Sequence, residues 1–338
     1  MCNDSALSGS ELRRSRRAFS NQACRFAAAA FVTGLGGLRT DETLEAKVGE
    51  PPKESTFPPG RYVDMHTHLG QTWNNGSALT AEALLRWMDA NDIAQAVVLP
   101  LVSPEASSYL LTSDFVLEQT RPYRERLIPF CAIDPRTAYN GGHRGLVEML
   151  QRYVDAGARG FGEHKPGVRI DDPRNLAIYE ACAEVRLPVL FHLDNQRNTD
   201  APGLPGLAKV LEAVPQAIFI GHGPGWWASI SGGVTQEDLG GYPKGAVAKG
   251  GAMEELFDRF ANIYGELSAG SGAGAISRDL QFGRDFLIRR ADRLMFGTDF
   301  LAPGQNVPQL ELFREIELPE EVQAKIFRDN ARALLRLG

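Results

Sequence analysis

Histidine is scarce in this sequence: six in 338 residues. Cysteine is scarcer still, and Cys2, Cys24, Cys131 and Cys182 lie far apart. None forms a CxxC pair, which excludes a zinc knuckle and a disulfide framework. Cys131 and Cys182 stand in apolar contexts and read as buried thiols. No apolar run approaches the roughly 20 residues of a membrane-spanning helix. An excess of positive charge is also missing: 36 Lys+Arg against 42 Asp+Glu leave a formal net charge of −6. A nucleic-acid partner would want a basic face, so the balance argues against one. The first apolar strand is not followed by a glycine-rich phosphate loop, which speaks against an open doubly wound nucleotide-binding sheet.

What is present divides into three stretches. Residues 1–39 carry a basic cluster, Arg13, Arg14, Arg16 and Arg17, and then a mildly apolar Ala/Gly segment. Ser15-Arg16-Arg17-Ala18-Phe19 follows the twin-arginine export pattern, which predicts passage to the periplasm. The alternative is a disordered basic extension on a cytoplasmic protein. Residues 40–60, with Pro51, Pro52, Pro58 and Pro59 among charges, read as a linker.

From residue 61 to 338 short apolar runs alternate with segments of helical period. The runs are 62–69, 93–101, 127–134, 158–165, 188–194, 217–223, 262–269 and 293–300. Near-continuous apolar strands separated by helices imply a parallel sheet covered on both faces. Helices are expected at 80–91, 105–124, 145–156, 175–185, 206–214, 251–260, 276–290 and 308–315, with a closing helix over 320–337. Thr80 reads as an N-cap and Gly157 as a C-cap. Eight strand–helix units predict an α/β fold of the (β/α)₈ TIM-barrel type, with a C-terminal helix.

In such a barrel the reactive groups lie at the C-terminal ends of the strands. The first run ends Asp64-Met65-His66-Thr67-His68. His66 and His68 are two apart and share a strand face. Alone, an H-x-H pair means little, since about 0.1 is expected by chance in a chain with this much histidine. The fifth run ends at His192, the sixth at His222, and the eighth at Gly297-Thr298-Asp299. Four of the six histidines and one Asp thus converge on one predicted cavity. Imidazole with carboxylate and no thiolate suits a divalent metal, Zn²⁺ first, with Mn²⁺ or Fe²⁺ as alternatives.

These motifs are similar to the amidohydrolase superfamily of metal-dependent hydrolases, in its amidohydrolase-related branch. That branch also contains decarboxylases of the aminocarboxymuconate-semialdehyde type. The features that carry the likeness are DMHTH (64–68), His192, His222, GTD (297–299) and the C-terminal DNARALL (329–335). The resemblance implies that His66, His68 and His192 bind metal. It implies that Asp299 binds or abuts the metal and takes a proton from water. His222 would be an acid/base in the decarboxylase-like branch, or a ligand of a second metal in binuclear members. The implied reaction is hydrolysis of a small molecule at an amide-, lactone- or ester-like bond, with non-oxidative decarboxylation as the alternative.

The fourth run ends Gly162-Glu163-His164-Lys165, and here the sequence leaves choices open. Glu163 and Lys165 share a face and His164 points away. Glu163 bridges two metals, or Glu163 or Lys165 grips substrate beside one metal, or the two form an ion pair that shapes the wall. Trp226 and Trp227, just after His222, suggest a lid or flat apolar wall; packing on outer helices is the bland alternative. Arg278 is a candidate partner for a substrate carboxylate, or a solvated helix-face residue. Residues 232–251 form a long Gly-rich loop of the kind that is often functional. A homo-oligomer is left open.

Overall fold

Eight short stretches rich in β-branched and aromatic residues form parallel strands in the computed structural model, which describes residues 58–73, 76–137 and 141–337. They are β1 (Tyr62–Thr67), β2 (Ile93–Val98), β3 (Leu127–Pro129), β4 (Phe161–His164), β5 (Val189–His192), β6 (Phe219–His222), β7 (Ile263–Glu266) and β8 (Leu294–Met295). β1, β2 and β3 pair in order, as do β4 through β8, all parallel. Two parallel bridges, Cys131 with Phe161 and Thr67 with Phe300, join these arcs into a closed ring. The fold is a (β/α)₈ barrel. The expected export signal, and the expected linker as far as residue 57, lie outside the described residues. No helix among the described residues is long and apolar enough to cross a membrane.

Inside the ring, Val97, Leu99, Ile128, Phe130, Leu190, Ile220 and Met295 form an apolar plug with Val63 and Met65. Ala331 and Leu335 of the closing helix complete it. Truncating one such side chain, Leu190→Ala for example, costs about 2–5 kcal/mol. His192 and His222 stand two residues beyond Leu190 and Ile220, so the strand period lifts them one layer above the plug, at the mouth. In β1 the pairing with β2 shifts between Asp64 and Thr67. The irregularity lets Met65 enter the plug while His66 and His68 still face the mouth.

All eight expected strands exist, but several are shorter. β8 stops at Met295 because Phe296 N–H turns to the closing helix and donates to Ile326 O at 2.8 Å. The expected helix over 105–124 begins only at Ser113, where Thr112 Oγ1 accepts from Phe115 N–H. Before it, Leu101 and Leu111 pair as an antiparallel bridge instead. The helix expected over 276–290 is two helices, Ala269–Ser277 and Leu280–Arg289, because Asp279 caps the second. The closing helix is interrupted by a π-helical turn over Lys325–Asp329. Thr80 caps the helix Ala81–Ala90, and Gly157, at φ +107°, ends the helix Gly142–Asp155.

Candidate metal centre

The strand ends bring together residues from six parts of the chain. β1 supplies His66 and His68, β4 Glu163, β5 His192, β6 His222, β7 Glu266, and the turn after β8 supplies Asp299. That turn is pinned to β1. Asp64 accepts from Thr298 Oγ1 at 2.6 Å and from Thr298 N–H at 3.0 Å, and Asp299 N–H donates to His66 O at 2.8 Å. Asp299 itself sits at φ +58°, a conformation uncommon for a side-chain-bearing residue and concentrated at functional sites. Burial pushes the Asp64 carboxyl up to about 7, against the pull of the Thr298 hydrogen bonds.

The outward-facing ring nitrogens fix what the inward-facing ones offer. His66 Nδ1 lies 3.0 Å from Glu266 Oε1, and His68 Nδ1 lies 2.9 Å from Leu99 O. His192 Nε2 lies 3.0 Å from Asp194 Oδ2, and His222 Nδ1 lies 2.5 Å from Glu266 Oε1. Each of these partners can only accept, so each of these nitrogens carries the hydrogen. In the neutral rings, lone pairs are then left on His66 Nε2, His68 Nε2 and His222 Nε2, while His192 faces a carboxylate on both sides, Asp194 at Nε2 and Glu163 at Nδ1.

Those lone pairs converge on carboxylate oxygens. His66 Nε2 and His68 Nε2 are 3.1 Å apart. Glu163 Oε2 is 3.6 and 3.4 Å from them, and Asp299 Oδ1 is 3.5 and 3.6 Å. On the other side Glu163 Oε1 is 2.9 Å from His192 Nδ1 and 3.4 Å from His222 Nε2. Acceptors facing acceptors in a buried site are stable only around positive charge. The donor set therefore fits a divalent cation. His66, His68 and Glu163 form one cluster of close ligand atoms, Glu163, His192 and His222 a second, and His66, His222 and Glu266 a third. The field acts on protons too. Burial pushes His66 down, but Asp299, Glu163 and Glu266 outweigh it and hold the ring well above its usual range.

Lys165 lies at the rim, its Nζ 2.7 Å from Glu163 Oε2. A cavity of about 270 Å³ opens over the cluster, lined by Lys165, His192, His222 and Asp299 with Trp73, Arg197 and Tyr242. Asp299 is the most exposed of the carboxylates at this space: its side chain is 21% exposed, against 3% for Asp194 and 0% for Glu163 and Glu266. A larger cleft, about 820 Å³, lies among residues that precede the strands, including Arg126 and Arg159. It contains no histidine and is at the end of the barrel opposite the cluster.

Three of the residues singled out in the sequence stand elsewhere. Trp226 is fully buried against Gly221 and Gly265, where a Cβ would lie 2.4 and 3.1 Å from its ring. It packs on the outward side of β6 and β7, because the helix Pro224–Ala228 starts at once after His222. Trp227 donates from Nε1 to Glu266 O at 3.1 Å and is likewise buried. Arg278 lines a separate cavity of only about 20 Å³ with Trp227 and Ser271, and Nη1 donates to Pro243 O at 3.1 Å. His164 turns away from the mouth, as the alternation requires, with Nε2 2.9 Å from Asn175 Oδ1.

Sequence reasoning missed Glu266, Asp194 and the pinning role of Asp64. Asp194 and Asp64 each lie two residues from a histidine of the cluster, His192 and His66. Glu266 is the one charged residue of the apolar run 262–269, and that is the signal that could have found it. The apolar run extends to Ala269, so the strand appeared to end later than it does.

Solved structures place the fold among known barrels. An uncharacterised TIM-barrel protein from Bordetella bronchiseptica aligns with a TM-score of 0.58 at 17% identity, covering 81% of this chain and 98% of that one. A probable 2-pyrone-4,6-dicarboxylic acid hydrolase from Acinetobacter baumannii aligns at 0.53 and 12% identity, covering 82% and 100%. A 5-carboxyvanillate decarboxylase from Sphingomonas paucimobilis aligns at 0.51 and 15%, covering 82% and 99%. No curated protein matches the chain. The family model described as amidohydrolase matches residues 63–337, and the chain belongs to that family of enzymes.

Proposed function

We propose that this chain is a metal-dependent hydrolase that holds two divalent cations and cleaves an amide-, lactone- or ester-like bond in a small molecule. One observation carries the reading: the two oxygens of Glu163 face separate histidine pairs, Oε2 toward His66 and His68, Oε1 toward His192 and His222. Two cation positions on either side of one carboxylate would suit hydrolysis. Zinc is the first expectation from imidazole and carboxylate donors, with manganese and iron as alternatives.

His66, His68, Glu163 and Asp299 would hold one ion, and Glu163, His192 and His222 the other. An ion held there would supply Lewis acidity and would lower the pKa of water from 15.7 to about 7. Asp299, facing the cavity, takes the proton from the attacking water and delivers it to the leaving nitrogen or oxygen. The water oxygen bonds to the carbonyl carbon as the C–N or C–O bond breaks. Lys165 donates to the substrate's anionic or carbonyl oxygen at the rim, and Trp73 and Tyr242 flank the entrance.

Decarboxylation of an unsaturated or aromatic acid at one metal is the second reading. It draws on the 2.7 Å ion pair between Lys165 and Glu163, which already neutralises the carboxylate. Elemental analysis followed by lactones, amides and aromatic acids separates the two. Two ions per chain and acid release from a lactone or amide are expected. One ion with release of carbon dioxide from an aromatic acid would overturn the hydrolase reading. Export rests on Arg16 and Arg17, and cell fractionation of Arg16→Lys/Arg17→Lys tests it: the variant is expected to stay in the cytoplasm.

A further inference from the structure

Glu266 belongs to neither proposed ion position, yet it touches a ligand of each. Its Oε1 lies 3.0 Å from His66 Nδ1 and 2.5 Å from His222 Nδ1. Ser268 closes the arrangement: its Oγ donates to Oε1 at 2.8 Å and its backbone N–H donates to Oε2 at 2.9 Å. The same hydroxyl lies 3.0 Å from His222 Nδ1. Around the carboxylate the barrel is shaped to admit it. The Cβ position of Gly297 is 2.3 Å from Oε2, so a side chain there would meet the carboxylate.

We infer that Glu266 is a positioning residue that sets the tautomers of His66 and His222 together, so that both present Nε2 to the two ion positions. The inference rests on the two-ion reading above. His192 and His68 have their own outer acceptors, Asp194 and Leu99 O, so neither depends on Glu266. Among the described residues, Glu266 alone joins the two halves of the centre through one oxygen. Losing it frees a hydrogen-bond choice in two ligands at once. A ring that moves its hydrogen to Nε2 can no longer ligate through that nitrogen.

The test uses the full chain. Glu266→Gln keeps the shape, but its NH₂ group must face either the Ser268 N–H or the donors around Oε1. Histidine ¹⁵N resonances of the metal-free protein, recorded at a pH high enough to leave the His66 ring neutral, report the tautomer directly. In the wild type, His66 and His222 are expected as Nδ1–H forms. In Glu266→Gln at least one of them moves to Nε2–H, while His68 and His192 stay unchanged. Zinc titrated against a chelator then gives the affinities, which fall 10- to 100-fold at both positions. Asp194→Asn, which touches no ligand of the centre but His192, weakens one position.

Ser268→Ala is the milder variant should Glu266→Gln fold poorly: the Ser268 hydroxyl donates to the shared Oε1 and also meets His222, so its loss is expected to shift both rings by less, His222 more than His66. Unchanged tautomers and unchanged zinc affinities in Glu266→Gln would overturn the inference. A wild-type protein that takes up no zinc would overturn the two-ion reading instead. The tautomer measurement in the metal-free protein would still decide the role of Glu266.

Discussion

The missing side chain of Gly297 makes room for the carboxylate of Glu266: a Cβ at 297 would stand 2.3 Å from Oε2 and 3.0 Å from the Ser268 Cβ. The glycine of the GTD motif is thus a packing requirement of its neighbour strand. Gly297→Ala is expected to push Glu266 aside, with overpacking costing about 1–3 kcal/mol. Denaturant unfolding should register that loss. Zinc affinity should fall with it, because His66 and His222 lose a shared acceptor. Wild-type stability and affinity in the variant would show that the carboxylate does not need the space.

The double substitution His66→Ala/His68→Ala removes both nitrogens that face each other at 3.1 Å. Glu163 and Asp299 remain, but two carboxylates without imidazole bind zinc weakly. Metal content measured by elemental analysis should drop to background for that ion. Wild-type stoichiometry would mean that the cation, if any, is held elsewhere.

Much of this centre was legible because barrel strands obey simple rules. His192 and His222 end apolar runs, and period two places both one layer above Leu190 and Ile220. The alternation also placed His164 outward, where it meets Asn175. What the sequence did not disclose depends on where a strand stops. Glu266 was hidden because Leu267, Ser268 and Ala269 extend the apolar run past the last ladder residue. Trp226 looked like a wall of the mouth, since adjacency to His222 says nothing about direction. The glycines at 221 and 265 open the slot it fills, and their pairing across β6 and β7 is a tertiary fact. The break at Asp279 follows from its side chain accepting from Phe282 N–H, a local competition that helical periodicity alone overrides.

Lys165 tests the substrate side of the site. Its ammonium pairs with Glu163 Oε2 at 2.7 Å and also lines the cavity. Lys165→Met removes a charged donor worth about 1.5–3 kcal/mol to a bound anion. That corresponds to a KM raised about 10- to 100-fold for a carboxylate-bearing substrate. Metal content should not fall, since Glu163 loses a competitor for its oxygens. A kcat loss with unchanged KM would place Lys165 in the chemistry instead of in binding.

His164 gives a pH prediction that stands apart from the cavity. Burial is the larger influence and pushes its imidazole down to about 4, while the hydrogen bond to Asn175 pulls the other way. An unfolded histidine titrates near 6.5, so between about 6.5 and about 4 the unfolded chain binds a proton that the folded one refuses. Stability from this residue is therefore complete above about 6.5 and declines as the pH falls toward 4. The slope is about 1.4 kcal/mol per pH unit, for roughly 3 kcal/mol in total. His164→Gln keeps a side-chain amide near Asn175 and removes the titration. Urea unfolding of the metal-free proteins, wild type against variant, should give a difference that is constant above pH 7 and shrinks through that window. Parallel curves down to pH 4 would mean that His164 accepts its proton without unfolding the barrel, and that the space between Phe161 and Tyr179 admits a charged ring.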